Sequence, residues 1–171
     1  MEKNNSKVTF VGNPVTLIGN EIKVNDKAVD FTVLNNSLEQ VKLSDFDGKV
    51  KILSLFPSID TGVCSKQAHT FNHEAASLSD DIVILAISND LPFALKRFCG
   101  AEGIDNLVTL SDHKNLDFST KYGFLMEELR LIARGVIVVD KDNTVKYVEY
   151  VAEGTNEPDY ESAIKAAKEL I

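Results

Sequence analysis

Cysteine is scarce in this chain: only Cys64 and Cys99 occur among its 171 residues. A disulfide-dense secreted scaffold needs more cysteines, and a chain of this length can form a core without disulfides. In a reducing compartment, two cysteines indicate either redox chemistry or no special role. The pair lies too far apart for the Cys-x-x-Cys motif of a thioredoxin-type dithiol, and zinc coordination by two cysteines has no support.

The sequence also lacks long apolar runs and an excess of positive charge. It contains no run of about 18 apolar residues, the length that suggests a membrane helix, and residues 1–20 hold no apolar stretch of signal-peptide length. The 18 basic residues are outnumbered by 26 acidic ones, for a formal net charge of −8. This balance disfavours nucleic acid and anionic lipid as partners. We therefore expect a cytoplasmic protein that binds neither membranes nor nucleic acid.

Internal repeats, low-complexity tracts and long linkers are absent from the sequence. Because nothing marks a boundary, residues 1–171 are predicted to form a single domain. Near the start, apolar residues flank the break Gly12-Asn13-Pro14, which is typical of two short strands joined by a tight turn. Residues 1–20 are thus predicted to form a hairpin. A second peripheral antiparallel pair is predicted around the polar stretch 35–39.

The middle of the chain alternates between strand and helix patterns. Residues 50–56 form a nearly continuous apolar run, as in a strand buried on both faces. From about 62 to 78, apolar residues recur three or four positions apart, which indicates an amphipathic helix that carries Cys64 on its buried stripe. The further predictions are strands over 82–87, 107–110, 135–139 and 145–151 and helices over 92–99 and 160–171. This order indicates an α/β fold with a mixed central sheet flanked by helices.

The loop between the first buried strand and its helix is the candidate site, because open α/β sheets bind ligands at the carboxyl ends of their strands. If Thr61 or Gly62 caps the helix, Cys64 lies in the first turn, where free backbone N–H groups and the helix dipole stabilise a thiolate. Asp60 opposes this effect, so a nearby cation is expected. Taken alone, Cys64 could equally be a small buried residue, and Thr61 only a helix cap.

The residues of this loop also carry a family resemblance. Pro57, Thr61 and Cys64 match the Pro-x-x-x-Thr-x-x-Cys signature of the peroxiredoxins, and the octapeptide PSIDTGVC resembles the bacterial thiol peroxidase branch, the atypical two-cysteine peroxiredoxins. The resemblance covers nearly the whole chain. Further matching segments are Gly12-Asn13-Pro14, Asp90-Leu91-Pro92-Phe93, Arg97-Phe98-Cys99-Gly100, Ala133-Arg134 and Pro158-Asp159-Tyr160.

The resemblance implies a thioredoxin-like fold with an N-terminal hairpin, a homodimer, and reduction of hydrogen peroxide and organic hydroperoxides. It implies that Cys64 is the peroxidatic cysteine, Cys99 the resolving cysteine and Arg134 the arginine beside the sulfur, with Thr61 and Pro57 completing the site. A Cys64 sulfenic acid would then give a Cys64–Cys99 disulfide, which a thioredoxin-like partner reduces. No bound cofactor or metal is expected.

Two positions depart from the family pattern. Gly135 stands where alanine usually follows the arginine, and Gly154 stands where an aliphatic residue usually precedes Thr155. Neither position carries a reacting group. The departures therefore bear on local packing and the dimer contact rather than on the chemistry.

Other residues and functions compete with this interpretation. Arg130 is an alternative cation, and His113 could pair with a cysteine as in a hydrolase. His69 and His73 have a metal-compatible spacing but no third ligand, and they are expected on the solvated face of their helix. A general disulfide oxidoreductase is disfavoured by the missing Cys-x-x-Cys motif. A peroxide-sensing or partner-binding module stays open.

The two cysteines belong to different predicted helices, which constrains any bond between them. A disulfide requires Cα atoms about 4.4–6.8 Å apart. We therefore expect bond formation to unwind the first helical turn at Cys64, with Gly62 and Gly100 supplying backbone freedom.

Overall fold

A computed structural model describes all residues 1–171. Its strands are β1 (Lys3–Phe10), β2 (Asn13–Ile18), β3 (Thr32–Leu34), β4 (Gln40–Lys42), β5 (Val50–Leu55), β6 (Ile82–Ser88), β7 (Val108–Ser111), β8 (Leu125–Met126), β9 (Leu131–Ile132), β10 (Gly135–Val139) and β11 (Val145–Tyr150). Its α-helices are α1 (Gly62–Ala75), α2 (Pro92–Glu102), α3 (Asp117–Lys121) and α4 (Tyr160–Lys168), and a 3-10 helix covers Leu43–Phe46. No helix is both long and apolar enough to cross a membrane.

The central sheet has seven strands in the order β11-β10-β5-β6-β7-β3-β4. Strands β5, β6 and β7 are parallel, whereas β10 and β11 on one side and β3 and β4 on the other are antiparallel to their neighbours. The predicted mixed sheet is therefore confirmed, with the β3–β4 pair at its edge. In the register between β5 and β10, Leu55 is opposite Gly135. The carboxyl end of β5 thus meets the start of β10.

Alternate residues of the central strands pack into two different cores, which explains the continuous apolar runs. Ile52 faces α1 and α4, where it belongs to a buried cluster with Phe71 and Ala163. Leu53 faces the opposite side and belongs to a larger cluster with Phe118. Since both faces are covered, a strand such as β5 has no solvent-facing position.

The N-terminal hairpin is confirmed, but its turn lies earlier than the sequence predicts. The two turn residues are Val11 and Gly12, both with positive φ (52° and 76°), and two such residues match the twist of a hairpin. Asn13 and Pro14, predicted to lie in the turn, belong to β2 instead. The hairpin joins β8 and β9 in a separate four-stranded sheet.

The segment between β7 and β10 contains elements that the sequence patterns did not reveal. Helix α3 has five residues, and β8 and β9 have two each, which is too short to show a hydrophobic period. The Asp112 carboxylate accepts the backbone N–H groups of Phe118 (3.0 Å) and Ser119 (2.8 Å). Burial raises the pKa of Asp112, and these N–H groups partly offset that effect. Helices α1 and α4 also end earlier than predicted, at Ala75 and Lys168.

We predict that Gly19→Ala destabilises the protein more than Gly12→Ala. Both glycines have positive φ (113° and 76°), so each substitution carries a backbone penalty of roughly 1–2 kcal/mol. Only at Gly19 would a Cβ also collide with backbone, 1.9 Å from the Thr120 carbonyl oxygen, whereas nothing lies within 4 Å at Gly12. Urea denaturation measures both losses. Equal losses in unfolding free energy would contradict a steric clash between a Cβ at position 19 and the Thr120 carbonyl.

Candidate active site

Cys64 occupies the first turn of α1. Thr61 is the N-cap residue, with extended backbone (φ −94°, ψ 150°), and its Oγ1 accepts the backbone N–H of Cys64 at 3.3 Å. The Thr61 hydroxyl donates in turn to the carbonyl of Ser58 at 3.3 Å. The expected position of Cys64 at a helix N-terminus is therefore confirmed.

A buried guanidinium lies beside the Cys64 sulfur. Arg134 is 2% exposed and Cys64 is 0% exposed. Arg134 Nη2 donates to Cys64 Sγ at 3.2 Å, Nη1 to Gln67 Oε1 at 2.8 Å and Nε to the Gly154 carbonyl at 2.9 Å. Each nitrogen of the guanidinium has an acceptor, which is the condition for burying such a charge.

The sheet register explains why Arg134 is the residue that reaches the sulfur. Arg134 directly precedes β10, and Gly135 lies opposite Leu55 at the end of β5. The arginine therefore lies at the end of β5, where the loop that carries Cys64 begins. Arg130 lies instead in the exposed turn between β8 and β9, with a φ of 56°. The competitor considered from the sequence therefore does not contact Cys64.

Gln67 is a buried member of the site that the sequence analysis missed. It lies one turn after Cys64 on the same face of α1 and is 0% exposed. Its Oε1 accepts from Arg134, and its Nε2 donates to Ser54 Oγ (2.9 Å) and to the Leu55 carbonyl (3.1 Å). The sequence feature that could have identified it is an amide side chain on the otherwise apolar face of α1, because a buried amide requires polar partners.

The loop before the helix is held by Asp90, a second residue that the sequence analysis did not assign to the site. The Asp90 carboxylate accepts from Ser58 Oγ (2.9 Å), Ile59 N–H (2.7 Å) and Ser88 Oγ (2.7 Å). It follows β6, the neighbour of β5, so it lies at the same edge of the sheet. Pro57, also in this loop, is buried.

The charge of Asp60 is directed to solvent rather than to the sulfur. Its side chain is 67% exposed and forms an ion pair with the equally exposed Arg97 at 3.7 Å. Water screens such exposed charges strongly. The unfavourable effect of Asp60 on a thiolate is correspondingly small beside the direct contact with Arg134.

Cys99 lies in α2 and is half-buried, and both cysteines are free thiols. Its Sγ is 3.6 Å from Thr109 Oγ1, and the Thr109 hydroxyl donates to Asn36 Oδ1 at 3.0 Å. Cys64, in α1, instead belongs to a buried apolar cluster that includes Leu95 of α2, the helix that carries Cys99. The two sulfurs thus have different surroundings.

The three histidines lie outside this arrangement. His69 and His73 are exposed on α1, as expected, and His69 Nε2 is 3.2 Å from Glu102 Oε2. His113 Nδ1 is 2.9 Å from Ser111 Oγ and does not bond to either cysteine. No group of three or more His, Cys, Asp or Glu side chains is placed to hold a metal ion.

Comparison with known proteins gives agreement over nearly the whole chain. A family model described as Redoxin matches residues 23–164. The thiol peroxidase of Halalkalibacterium halodurans is 56% identical over 163 residues, covering 95% of this chain and 98% of that protein. The thiol peroxidase of Bacillus subtilis is 55% identical over 166 residues, covering 97% and 99%.

Solved structures show the same architecture. A peroxiredoxin-like protein from Aquifex aeolicus superposes with a TM-score of 0.91 at 36% identity, over 100% of both chains. A thiol peroxidase from Chromobacterium violaceum superposes with a TM-score of 0.85 at 20% identity, over 97% of each chain, and so supports the fold alone. The predicted thioredoxin-like fold is confirmed. With these full-length relatives and the family match, the chain belongs to the Redoxin family, in the thiol peroxidase branch of the peroxiredoxins.

Proposed function

We propose that the protein is a thiol-dependent peroxidase in which Cys64 attacks hydrogen peroxide and organic hydroperoxides. The observation that carries this proposal is the hydrogen bond from Arg134 Nη2 to Cys64 Sγ, 3.2 Å long and fully buried. A guanidinium and the N-terminus of a helix both favour a thiolate over a thiol, and the thiolate is the nucleophile. The curated relatives named thiol peroxidase support the same activity.

The proposed reaction begins with transfer of one oxygen. The Cys64 thiolate attacks the terminal oxygen of the peroxide, the O–O bond breaks, and the sulfur becomes a sulfenic acid. The departing alkoxide or hydroxide takes a proton and leaves as an alcohol or water. Arg134 is the donor proposed to stabilise the charge on the oxygens. The Thr61 hydroxyl is proposed as a second donor, once its proton turns from the Ser58 carbonyl towards the peroxide, while Pro57 shapes the loop.

The proposed second step resolves the sulfenic acid. The Cys99 thiol attacks the Cys64 sulfur, its proton leaves with the hydroxyl group as water, and a disulfide forms. A dithiol protein of the thioredoxin type then reduces the disulfide and is itself oxidised. The proposal also includes a homodimer, which the family resemblance implies. It includes a cytoplasmic location and a single domain over 1–171, which composition and the lack of linkers predict.

The disulfide step requires the site to change shape. Cys64 is held in the first turn of α1 by the Thr61 cap, and Cys99 lies within α2 against Thr109. A disulfide requires at least one of the two sulfurs to leave these contacts, since each is engaged with other groups. Unwinding of the first turn of α1, and of the segment around Cys99, is therefore part of the proposed cycle.

Cys64→Ser should abolish peroxide reduction, because a serine hydroxyl is scarcely ionised at neutral pH and oxygen cannot form the sulfenic acid. Peroxide loss is followed with thioredoxin and its reductase, and insulin reduction is measured in parallel. Fast peroxide loss without insulin reduction selects the peroxidase over a general disulfide oxidoreductase. More than a trace of activity in the variant would rule out Cys64 as the attacking residue.

Arg134→Lys should slow the reaction of Cys64 with peroxide by at least about 10-fold, since an ammonium lacks the planar fork of donors, and loss of an oxyanion donor costs roughly 100- to 1000-fold. Alkylation of Cys64 should also move to higher pH. Arg130→Lys is the matched control and should leave both unchanged. An identical pH dependence of alkylation in the wild type and Arg134→Lys would mean that another residue stabilises the Cys64 thiolate.

Oxidation should loosen the first turn of α1. One equivalent of peroxide should raise amide hydrogen exchange over residues 62–65, because the disulfide is incompatible with an intact turn. In Cys99→Ser the same treatment stops at the sulfenic acid, so exchange should stay low and thioredoxin-driven turnover should stall after one equivalent. Unchanged exchange in the oxidised wild-type protein would remove local unwinding from the mechanism.

A further inference from the structure

The third acceptor of Arg134 belongs to a loop that the N-terminal hairpin holds in place. Arg134 Nε donates to the carbonyl of Gly154, which follows β11. Two backbone hydrogen bonds attach this loop to the hairpin: Thr9 N–H donates to the Ala152 carbonyl, and Gly154 N–H donates to the Thr9 carbonyl, each at 2.8 Å. The Gly154 carbonyl thus joins the loop held by the hairpin to the active site.

The carboxylate of Glu153 reinforces this attachment from both sides. Its Oε1 accepts from Gly12 N–H (2.8 Å) and Thr9 Oγ1 (2.9 Å) on the hairpin. Its Oε2 accepts from the N–H (2.7 Å) and the hydroxyl of Thr155 in the loop. Hydrogen bonds from the Thr155 side chain and then from Gly12 N–H are the main causes that lower the pKa of Glu153 to about 2. The group is therefore a full carboxylate at neutral pH, with both oxygens accepting.

Gly154 is packed closely against the end of the hairpin. A Cβ at this position would lie 2.6 Å from Cδ2 of Phe10, the last residue of β1. The Phe10 ring therefore lies directly against the Gly154 backbone. Any shift of the hairpin end moves this backbone and its carbonyl.

These contacts determine the orientation of Arg134, whose Nη2 donates to the Cys64 sulfur. Because the group is planar, fixing the acceptors of Nε and Nη1 fixes the direction of Nη2. Gln67 sets one of these acceptors and Gly154 the other. We propose that Glu153 is a positioning residue: by joining the hairpin turn to the Gly154 loop, it aims Arg134 Nη2 at Cys64. This inference rests on the proposed function and deepens it.

The chain supplies a matched control for this role. Glu128 also holds the hairpin through its carboxylate, whose two oxygens accept the Thr16 N–H at 2.9 Å. It makes no hydrogen bond to residues 151–156. Loss of Glu128 therefore weakens the hairpin without touching the loop that carries the Gly154 carbonyl.

The test compares Glu153→Gln with Glu128→Gln in the full chain, in a Cys99→Ser background so that only Cys64 reacts. The readouts are the single-turnover rate with hydrogen peroxide and the pH profile of alkylation by iodoacetamide. Glu153→Gln should slow the peroxide step by about 10-fold, since misplacing a catalytic group by about 1 Å can cost about 100-fold. Its alkylation profile should move to higher pH. Glu128→Gln should match the parent.

Equal behaviour of the two variants at matched melting temperatures would overturn the positioning role while leaving the peroxidase intact. A parent whose Cys64 neither consumes peroxide nor alkylates faster than an ordinary thiol would overturn the proposed function and this inference together. Melting temperatures identify a variant that fails through unfolding.

A second pair of substitutions tests the same link if Glu153→Gln proves unstable. Gly154→Ala should slow Cys64, because the new methyl group collides with the Phe10 ring and displaces the carbonyl. Adding Phe10→Leu, which removes that ring, should restore at least half of the lost rate. A Gly154→Ala variant as fast as the parent, or a double variant as slow as Gly154→Ala, would contradict the inference.

Discussion

A positive charge buried against a sulfur atom is the constraint on which this site depends. A guanidinium in a protein interior is costly unless its N–H groups are paired, and here the pairing uses Cys64, Gln67 and Gly154. None of the three acceptors is a carboxylate. Of its three hydrogen-bond partners, only the Cys64 sulfur can carry a counter-charge.

The same constraint makes catalysis and disulfide formation compete. A sulfur held by a capped helical turn and a paired guanidinium is well placed for the first step. In the proposed second step that sulfur moves away and leaves Arg134 without one acceptor. The interactions that hold the reduced site together therefore oppose resolution, and the free energy released by disulfide formation has to offset their loss.

The sequence predicted the parts of this molecule that have long periods or strong local chemistry. Strand β5, helix α1 and the Thr61 cap could be inferred because apolar runs, a helical stripe and a capping residue are local signals. Gln67 and Gly154 could not be inferred in their roles, since each acts on Arg134 across a long sequence separation. Their identity depends on which strand ends meet, and only the sheet topology shows that.

The two glycines that depart from the family pattern are both tightly packed beside Arg134: Gly135 follows it in the chain, and Gly154 accepts from its Nε. A Cβ at Gly135 would lie 2.3 Å from the Glu149 carbonyl oxygen and 2.6 Å from a ring carbon of Phe124. The Phe124 ring stacks on Tyr150 with centroids 4.0 Å apart. At Gly154 the ring of Phe10 takes the corresponding place. Because interiors are close-packed, each aromatic ring and the glycine beside it form one packing unit. At Gly154 a larger residue would fit only if the Phe10 ring were displaced or smaller, whereas at Gly135 the backbone of Glu149 would also have to move.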